Sequence, residues 1–300
     1  MRERRSASFY WLAAVFGLFV LFLYGPVITI LVLSFQGPMG GLTFPMNGVS
    51  VHWFVQLTNG IGLVDISQGV WNSLELGIVV MILTVVFSVM AGLAFRRRFR
   101  GSTALFYTAI ASLIMPSIVV SLGIALEFRI FDDAIKAIGD AWNIEWIQDN
   151  YNSAAGLFSS GLGAHLSWTL PFGLLIMFAV FNRFDRVYEE AARDLGASPW
   201  QVIRYVVLPM IAPSLVGVAL FGFTLSWDEL ARSSQAMGST NTLPIELQAL
   251  TTTVTTPAIY ALGTTTTAIS LLVIGVALAT VFIVQRRRRR HGSDAGMGMV

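Results

Sequence analysis

EAARDLGASPWQVIRYVVLP, residues Glu190 to Pro209, is a polar, helix-forming island between long apolar runs. It reads as Glu-Ala-Ala, three residues, Gly, nine residues, Val, one residue, Leu-Pro. Upstream, Asp185 is placed to cap a helix whose first turn holds Glu189 and Glu190, where negative charge favours the positive end of the macrodipole. Gly196 supplies a residue that adopts a left-handed conformation and ends that helix. Ser198-Pro199-Trp200-Gln201 follows as a capping box with Pro at the first helical position, and Pro209 marks where the second helix ends or kinks. The expected product is a short helix, a tight turn and another helix. Ala191, Ala192 and Gly196 leave little side chain at the turn, so another protein's backbone has room to approach.

Working outward, the 300 residues are 55% hydrophobic and 12% charged, far from the roughly 25% charged residues of a soluble domain. The chain reads as a membrane protein. It has no cysteine, which excludes a disulfide framework, a thiol nucleophile and Cys-ligated metal. Its single lysine, Lys136, lies in no Gly-rich phosphate-binding loop. His52, His165 and His291 are too far apart in sequence for the metal-binding pair of one helix and read as satisfied or solvated. No nucleophile, base and metal-ligand constellation suggests an enzyme.

Six apolar runs are each predicted to span a membrane as a helix, at about residues 10–33, 71–95, 104–126, 156–181, 211–226 and 262–284. The first is too long for a signal peptide and contains Gly25-Pro26. The third and fourth contain Pro116 and Pro171, read as kinks. Segments 36–69 and 232–260 read as external loops. The acidic insert 127–150 shows helical apolar spacing and Trp142 and Trp146, which fits either an amphipathic helix on the membrane surface or packing on another loop.

Of the 19 basic residues, 16 fall on one side: Arg2, Arg4 and Arg5, four after the second span, four within 182–209, and Arg286 to Arg290. Only Arg129, Lys136 and Arg232 fall on the other. Because cytoplasmic loops keep Lys and Arg, this bias predicts that both termini and the 182–209 loop are cytoplasmic.

Six identities at fixed positions arise by chance at roughly 10⁻⁷ per starting point. The Glu190–Pro209 pattern resembles the EAA loop of the membrane subunits of ABC importers that work with a substrate-binding protein, with Val206 at the usual Ile. Asn72-Ser73-Leu74, Arg98-Phe99-Arg100-Gly101, Asp194 to Trp200, Phe223 to Glu229, and Thr242-Leu243-Pro244-Ile245 are similar to the spermidine/putrescine permease subfamily. Two stretches depart from it: the insert around Phe131–Ser160 is longer, and Ala231-Arg232-Ser233-Ser234-Gln235 replaces the apolar run usual in that subfamily after the Asp.

The resemblance implies an all-α membrane fold, that of a type I ABC importer transmembrane domain, in which 1–300 forms one permease domain of a bacterial inner membrane. It implies a coupling helix in the 182–209 loop, with Glu190, Ala191, Ala192 and Gly196 in the docking turn and Val206, Leu208 and Pro209 closing the motif. It implies an ATPase subunit dimer that carries the ATP and Mg, a second permease chain forming a heterodimer, an external binding protein, membrane lipid and no nucleic acid. This chain itself would hold no cofactor or metal, and the solute would be a polyamine such as spermidine or putrescine.

Ionisable residues at span edges are candidates for the substrate path. Glu75, Asp228 and Glu229 are so placed. Beside Trp71 and Trp227 these carboxylates would attract a polycation by charge pairing and cation–π contact; the alternative places all three at a water-rich interface, where Trp is enriched anyway. An ABC permease for another small organic solute, or an ion-coupled secondary transporter, are the competing functions. The latter would need its own coupling-ion site and, in many such folds, repeated halves, and neither is evident.

Overall fold

The computed structural model describes residues 6–59, 66–97, 99–253 and 256–290. Arg2, Arg4, Arg5, Arg98 and His291 therefore lie outside the described residues. The described chain is almost wholly helical. In order, the helices are α1 (Ala7–Leu33), α2 (His52–Thr58), α3 (Ile66–Phe95), α4 (Ser102–Ala111), α5 (Ser117–Ala141), α6 (Glu145–Asn150), α7 (Leu162–Arg183), α8 (Val187–Asp194), α9 (Pro199–Val202), α10 (Leu208–Trp227), α11 (Leu230–Ala236), α12 (Leu243–Thr253) and α13 (Ala258–Arg290). Five helical runs among the described residues are long and apolar enough to cross a membrane: Ala7–Leu33, Ile66–Phe95, Leu157–Arg183, Pro199–Trp227 and Ala258–Val276.

The run at 104–126, expected as one span, is two helices. Pro116 has no N–H to give and pushes the residue before it out of helical geometry. The chain opens over residues 112–116, Pro116 becomes the N-cap of α5 at ψ 129°, and the Ser112 hydroxyl at the break lies 3.0 Å from the Ala109 carbonyl of its own helix and 2.8 Å from the Ser167 carbonyl of α7. Pro26, Pro171 and Pro213 stay inside continuous helices. Much of the acidic insert is not a separate element either, because α5 runs on through it to Ala141. Asn143, with φ 51°, then turns the chain into α6, a left-handed conformation that Asn tolerates. The expected external loop at 232–260 contains α11 and α12, too short and polar for a span-length pattern to reveal.

The chain divides into two compact units, one drawn from Met1–Ser67 and Glu246–Leu271, the other from Gln68–Ile245 and Leu272–Val300. In the first, the buried Gln36 side chain organises the connection after α1. Its Oε1 accepts from the Asn47 N–H at 2.8 Å and its Nε2 donates to the Gly41 carbonyl at 3.0 Å. The Tyr260 hydroxyl donates to the Leu42 carbonyl at 2.8 Å.

In the second unit α3, α7 and α10 meet at small residues, as membrane helices do where lipid tails give no hydrophobic drive. An added Cβ at Gly173 would lie 2.0 Å from Ser88 Oγ, and one at Gly222 would lie 3.1 Å from Met81 Cα. Thr84 and Thr169 exchange a buried hydroxyl hydrogen bond of 2.7 Å at the same crossing. Below it, Met177, Phe181, Phe184, Val202, Val207, Ile211 and Val218 form one buried cluster. That cluster joins α7 and α10 to the polar hairpin between them.

Candidate functional site

The polar island folds as its capping residues dictate. The Asp185 carboxylate accepts from the Val187 N–H at 3.0 Å at the start of α8. Gly196 ends α8 at φ +86°. Around it, the Ala197 N–H reaches the Ala192 carbonyl at 3.0 Å and the Gly196 N–H reaches the Arg193 carbonyl at 2.8 Å, the paired bonds of a Schellman turn. Ser198 and Gln201 then make a reciprocal capping box that opens α9, with Pro199 in the first turn.

The second helix neither ends nor breaks at Pro209. Having no N–H, Pro209 cannot bond the Tyr205 carbonyl, and the helix instead widens into a π turn at Ile203–Val207 before continuing as α10. Of the residues singled out from the sequence, Glu190, Ala191 and Gly196 are exposed, while Ala192, Val206, Leu208 and Pro209 are half-buried. Leu208 and Ala192 pack on the cluster under the hairpin. Among the described residues no atom lies within 4 Å of a Cβ built on Gly196. Leu195 is 90% exposed and Trp200 64% exposed on either side of it.

Glu189, the residue before the motif, was missed by the sequence reading and is its anchor. It is buried and pairs with Arg96 at the end of α3, a partner 93 positions away. The Arg96 guanidinium also lies 5.3 Å from the ring centroids of both Phe181 and Phe184, and the Arg96 carbonyl accepts from Arg186 Nη2 at 2.9 Å. A cleft of about 500 Å³ between the end of α3 and the hairpin is lined by Arg96, Arg97, Arg186, Arg193, Glu189 and Glu190, among others. Only the Arg run ending the second span hints at such an anchor in the sequence.

At the far end of α10 stand the path candidates. Asp228 and Glu75 are exposed. Trp227 is fully buried and stacks on Phe223 with centroids 5.7 Å apart. Glu229 caps α11, accepting from the Arg232 N–H at 3.1 Å and from Arg232 Nη1 at 3.3 Å. Asp228 and Glu75 are thus open to solvent on part of their surface, whereas Trp227 and Glu229 hold the α10–α11 corner together.

His165 on α7 spans this corner. Its Nδ1 is 2.8 Å from Ser226 Oγ on α10 and its Nε2 is 3.1 Å from Ser233 Oγ on α11, the satisfied histidine expected from the sequence. Two of the quoted motifs also meet here: Asn72 Nδ2 donates to the Asn241 carbonyl at 2.7 Å, and the Leu243 N–H donates to Ser73 Oγ at 2.9 Å. The spacing of 170 positions between Ser73 and Leu243 hides this pairing from any reading along the chain.

Residues 84–290 match the family described as binding-protein-dependent transport system inner membrane component. The chain belongs to this family. It is a transport subunit, not an enzyme. The spermidine/putrescine transport system permease protein PotC of Haemophilus influenzae is 28% identical over 272 residues, covering 90% of this chain and 94% of its own. The putrescine transport system permease protein PotI of Escherichia coli K12 is 28% identical over 257 residues, covering 85% and 84%. Among solved structures, a bacterial ABC transporter involved in the import of the acidic polysaccharide alginate superposes with a TM-score of 0.59 and 16% identity, covering 97% of this chain and 100% of that chain. The fold is that of an ABC importer membrane domain, and the chain is a multi-pass membrane protein.

Proposed function

We propose that this permease subunit is driven through the Val187–Val202 hairpin by a dimeric ATPase, which carries the ATP and Mg, and that it receives its solute from an external binding protein. The observation that carries this reading is the hairpin itself: an unobstructed left-handed turn at Gly196, flanked by exposed Leu195 and Trp200 and tied to α3 by the Arg96–Glu189 pair. Glu190, Ala191, Ala192 and Gly196 form the docking turn. Val206, Leu208 and Pro209 lead from it into α10. The whole chain acts as one transmembrane domain with six crossings, α4 and the first half of α5 together supplying the third. Both termini are cytoplasmic, and a second permease chain completes the pathway.

The cargo is a polyamine such as spermidine or putrescine, a reading supported by the names of the relatives above and by the exposed carboxylates of Asp228 and Glu75. Solute uptake in proteoliposomes, with and without an added ATPase subunit and ATP, tests the function. Uptake driven by an ion gradient with ATP irrelevant would overturn it. For the path, Asp228→Asn is expected to reduce solute-stimulated transport with ATPase assembly intact; unchanged kinetics would remove Asp228.

A further inference from the structure

The cleft between the end of α3 and the hairpin holds more positive charge than the coupling reading uses. Arg96, Arg97, Arg186 and Arg193 line it against Glu189 and Glu190, four positive charges to two negative. Glu189 is taken up within the protein, bonded to Arg96 and 3.5 Å from Arg193 Nη2, and Glu190 is exposed. Arg97 makes no ion pair among the described residues, and Arg186 donates to a carbonyl, that of Arg96, instead of to a carboxylate. Both arginines are exposed. Leu93, Val202 and Ile203 add an apolar wall to the same cleft.

A second observation lies on α3 itself. Val86, Met90 and Ala94 recur at every fourth residue and all three are exposed; Ala94 also lines the cleft. Residues four apart are neighbours on a helix surface, so the three form one ridge. Eight residues separate Val86 from Ala94, about 12 Å at 1.5 Å per residue, against about 15 Å for half of a 30 Å hydrocarbon core. Arg97 follows one turn later. An apolar track of one leaflet's depth thus ends at guanidinium groups with donors to spare, and guanidinium forks match phosphate oxygens. A free phosphate would use the arginines and leave the ridge without a part. A phospholipid uses both, and basic pockets beside membrane helices are where acidic headgroups bind.

We propose that this cleft binds the phosphate of an anionic phospholipid, with Arg97 and Arg186 on the headgroup oxygens and one acyl chain along Val86, Met90 and Ala94. The excess of positive charge disfavours the ammonium group of a zwitterionic headgroup and so selects an acidic one. The proposal goes beyond the coupling reading and depends only on the chain being a multi-pass membrane protein.

The test uses the full chain purified in detergent, alone and with its ATPase subunits bound. Native mass spectrometry reads the lipid retained after addition of phosphatidylglycerol or phosphatidylethanolamine with identical acyl chains. Phosphatidylglycerol is expected to be held about tenfold more tightly, and Arg97→Gln to weaken it about fivefold, the effect of one arginine at a membrane surface. Arg204→Gln removes the same charge from an exposed residue outside the cleft lining and is expected to leave retention unchanged. Equal retention of the two lipids, or an equal fall in both variants, would overturn the proposal. Inorganic phosphate bound as tightly as the lipid would assign the arginines to a free anion, and loss of the lipid once the ATPase is bound would assign the cleft to that partner; either result overturns it. Should Arg97→Gln fail to fold, a photoactivatable phosphatidylglycerol decides on the wild type: labelling within 86–97 or 186–203 is expected, and labelling only elsewhere refutes the site. Lipid retention and ATP-driven uptake are separate measurements, so this proposal and the permease reading fail separately.

Discussion

Replacing Gly196 separates what the hairpin needs for its own shape from what it needs for a partner. At φ +86° a residue with a Cβ is strained by about 1–2 kcal/mol, enough to lower the population of the formed turn by roughly 5–30-fold. Among the described residues nothing would clash with an added Cβ, because no atom of theirs lies within 4 Å of its position. The cost is therefore purely conformational. Gly196→Ala and Gly196→Val are expected to weaken the Ala197-to-Ala192 and Gly196-to-Arg193 backbone bonds, raising amide exchange at residues 196 and 197 by about tenfold. Gly196→Asn, which tolerates the left-handed region, should leave exchange close to wild type. If a partner packs against the turn, the Asn side chain still obstructs it, and the ratio of ATP hydrolysed to solute transported rises in proteoliposomes. Unchanged exchange in Gly196→Val would refute the conformational argument. Normal coupling in both the Val and the Asn variants would refute the docking argument.

Two further outcomes follow from the packing. Gly173→Ala drives a methyl toward Ser88 Oγ at 2.0 Å and is expected to cost about 1–3 kcal/mol in thermal unfolding of the solubilised protein. Because that hydroxyl is buried without a partner among the described residues, adding Ser88→Ala should recover part of the loss; no recovery would mean the clash lies elsewhere. At the other end of the molecule, Asp132 is 2% exposed, and it accepts from Lys136 Nζ at 2.7 Å and from the Ser153 N–H at 2.6 Å. Lys136 foremost, and then Ser153, hold its carboxyl below the ordinary value of 3.8 against the effect of burial. A depressed folded-state pKa gives stability that is present above the unfolded value and is lost as pH falls through the folded one. Protection of the Ser153 amide, corrected for intrinsic exchange, should therefore fall only as the pH drops below the ordinary value of 3.8, and Asp132→Asn should flatten that profile. An equally steep profile in the variant would assign the effect to another group.

What the sequence made legible was local. Capping chemistry around Asp185, Gly196 and Ser198 depends on neighbours within a few positions, and each of these residues takes the part its type dictates. Apolar length located the five helical runs long and apolar enough to cross a membrane for the same reason, since length and hydropathy are properties of one run. The third run is two helices instead of one because Pro116 can either bend a helix or divide it, and nothing within a few positions of it says which. Glu189 and Arg96, Ser73 and Leu243, and His165 with Ser226 and Ser233 are pairings between separate helices. Periodicity carries no information about them. Arg232 was visible as one of three basic residues on the expected external side, but its burial is a fact of packing.

The π turn at Ile203–Val207 has a mechanical meaning. By widening instead of breaking, it keeps Pro199–Trp227 a single run of 29 residues, roughly 43 Å of helix at 1.5 Å per residue. A rod of that length has no joint between the capping box at one end and the corner of Asp228, Glu229 and Arg232 at the other. A small tilt imposed at Trp200 would reach that corner as a sideways displacement that grows with distance from the pivot, with the widened turn and Pro213 as the compliant places along the way.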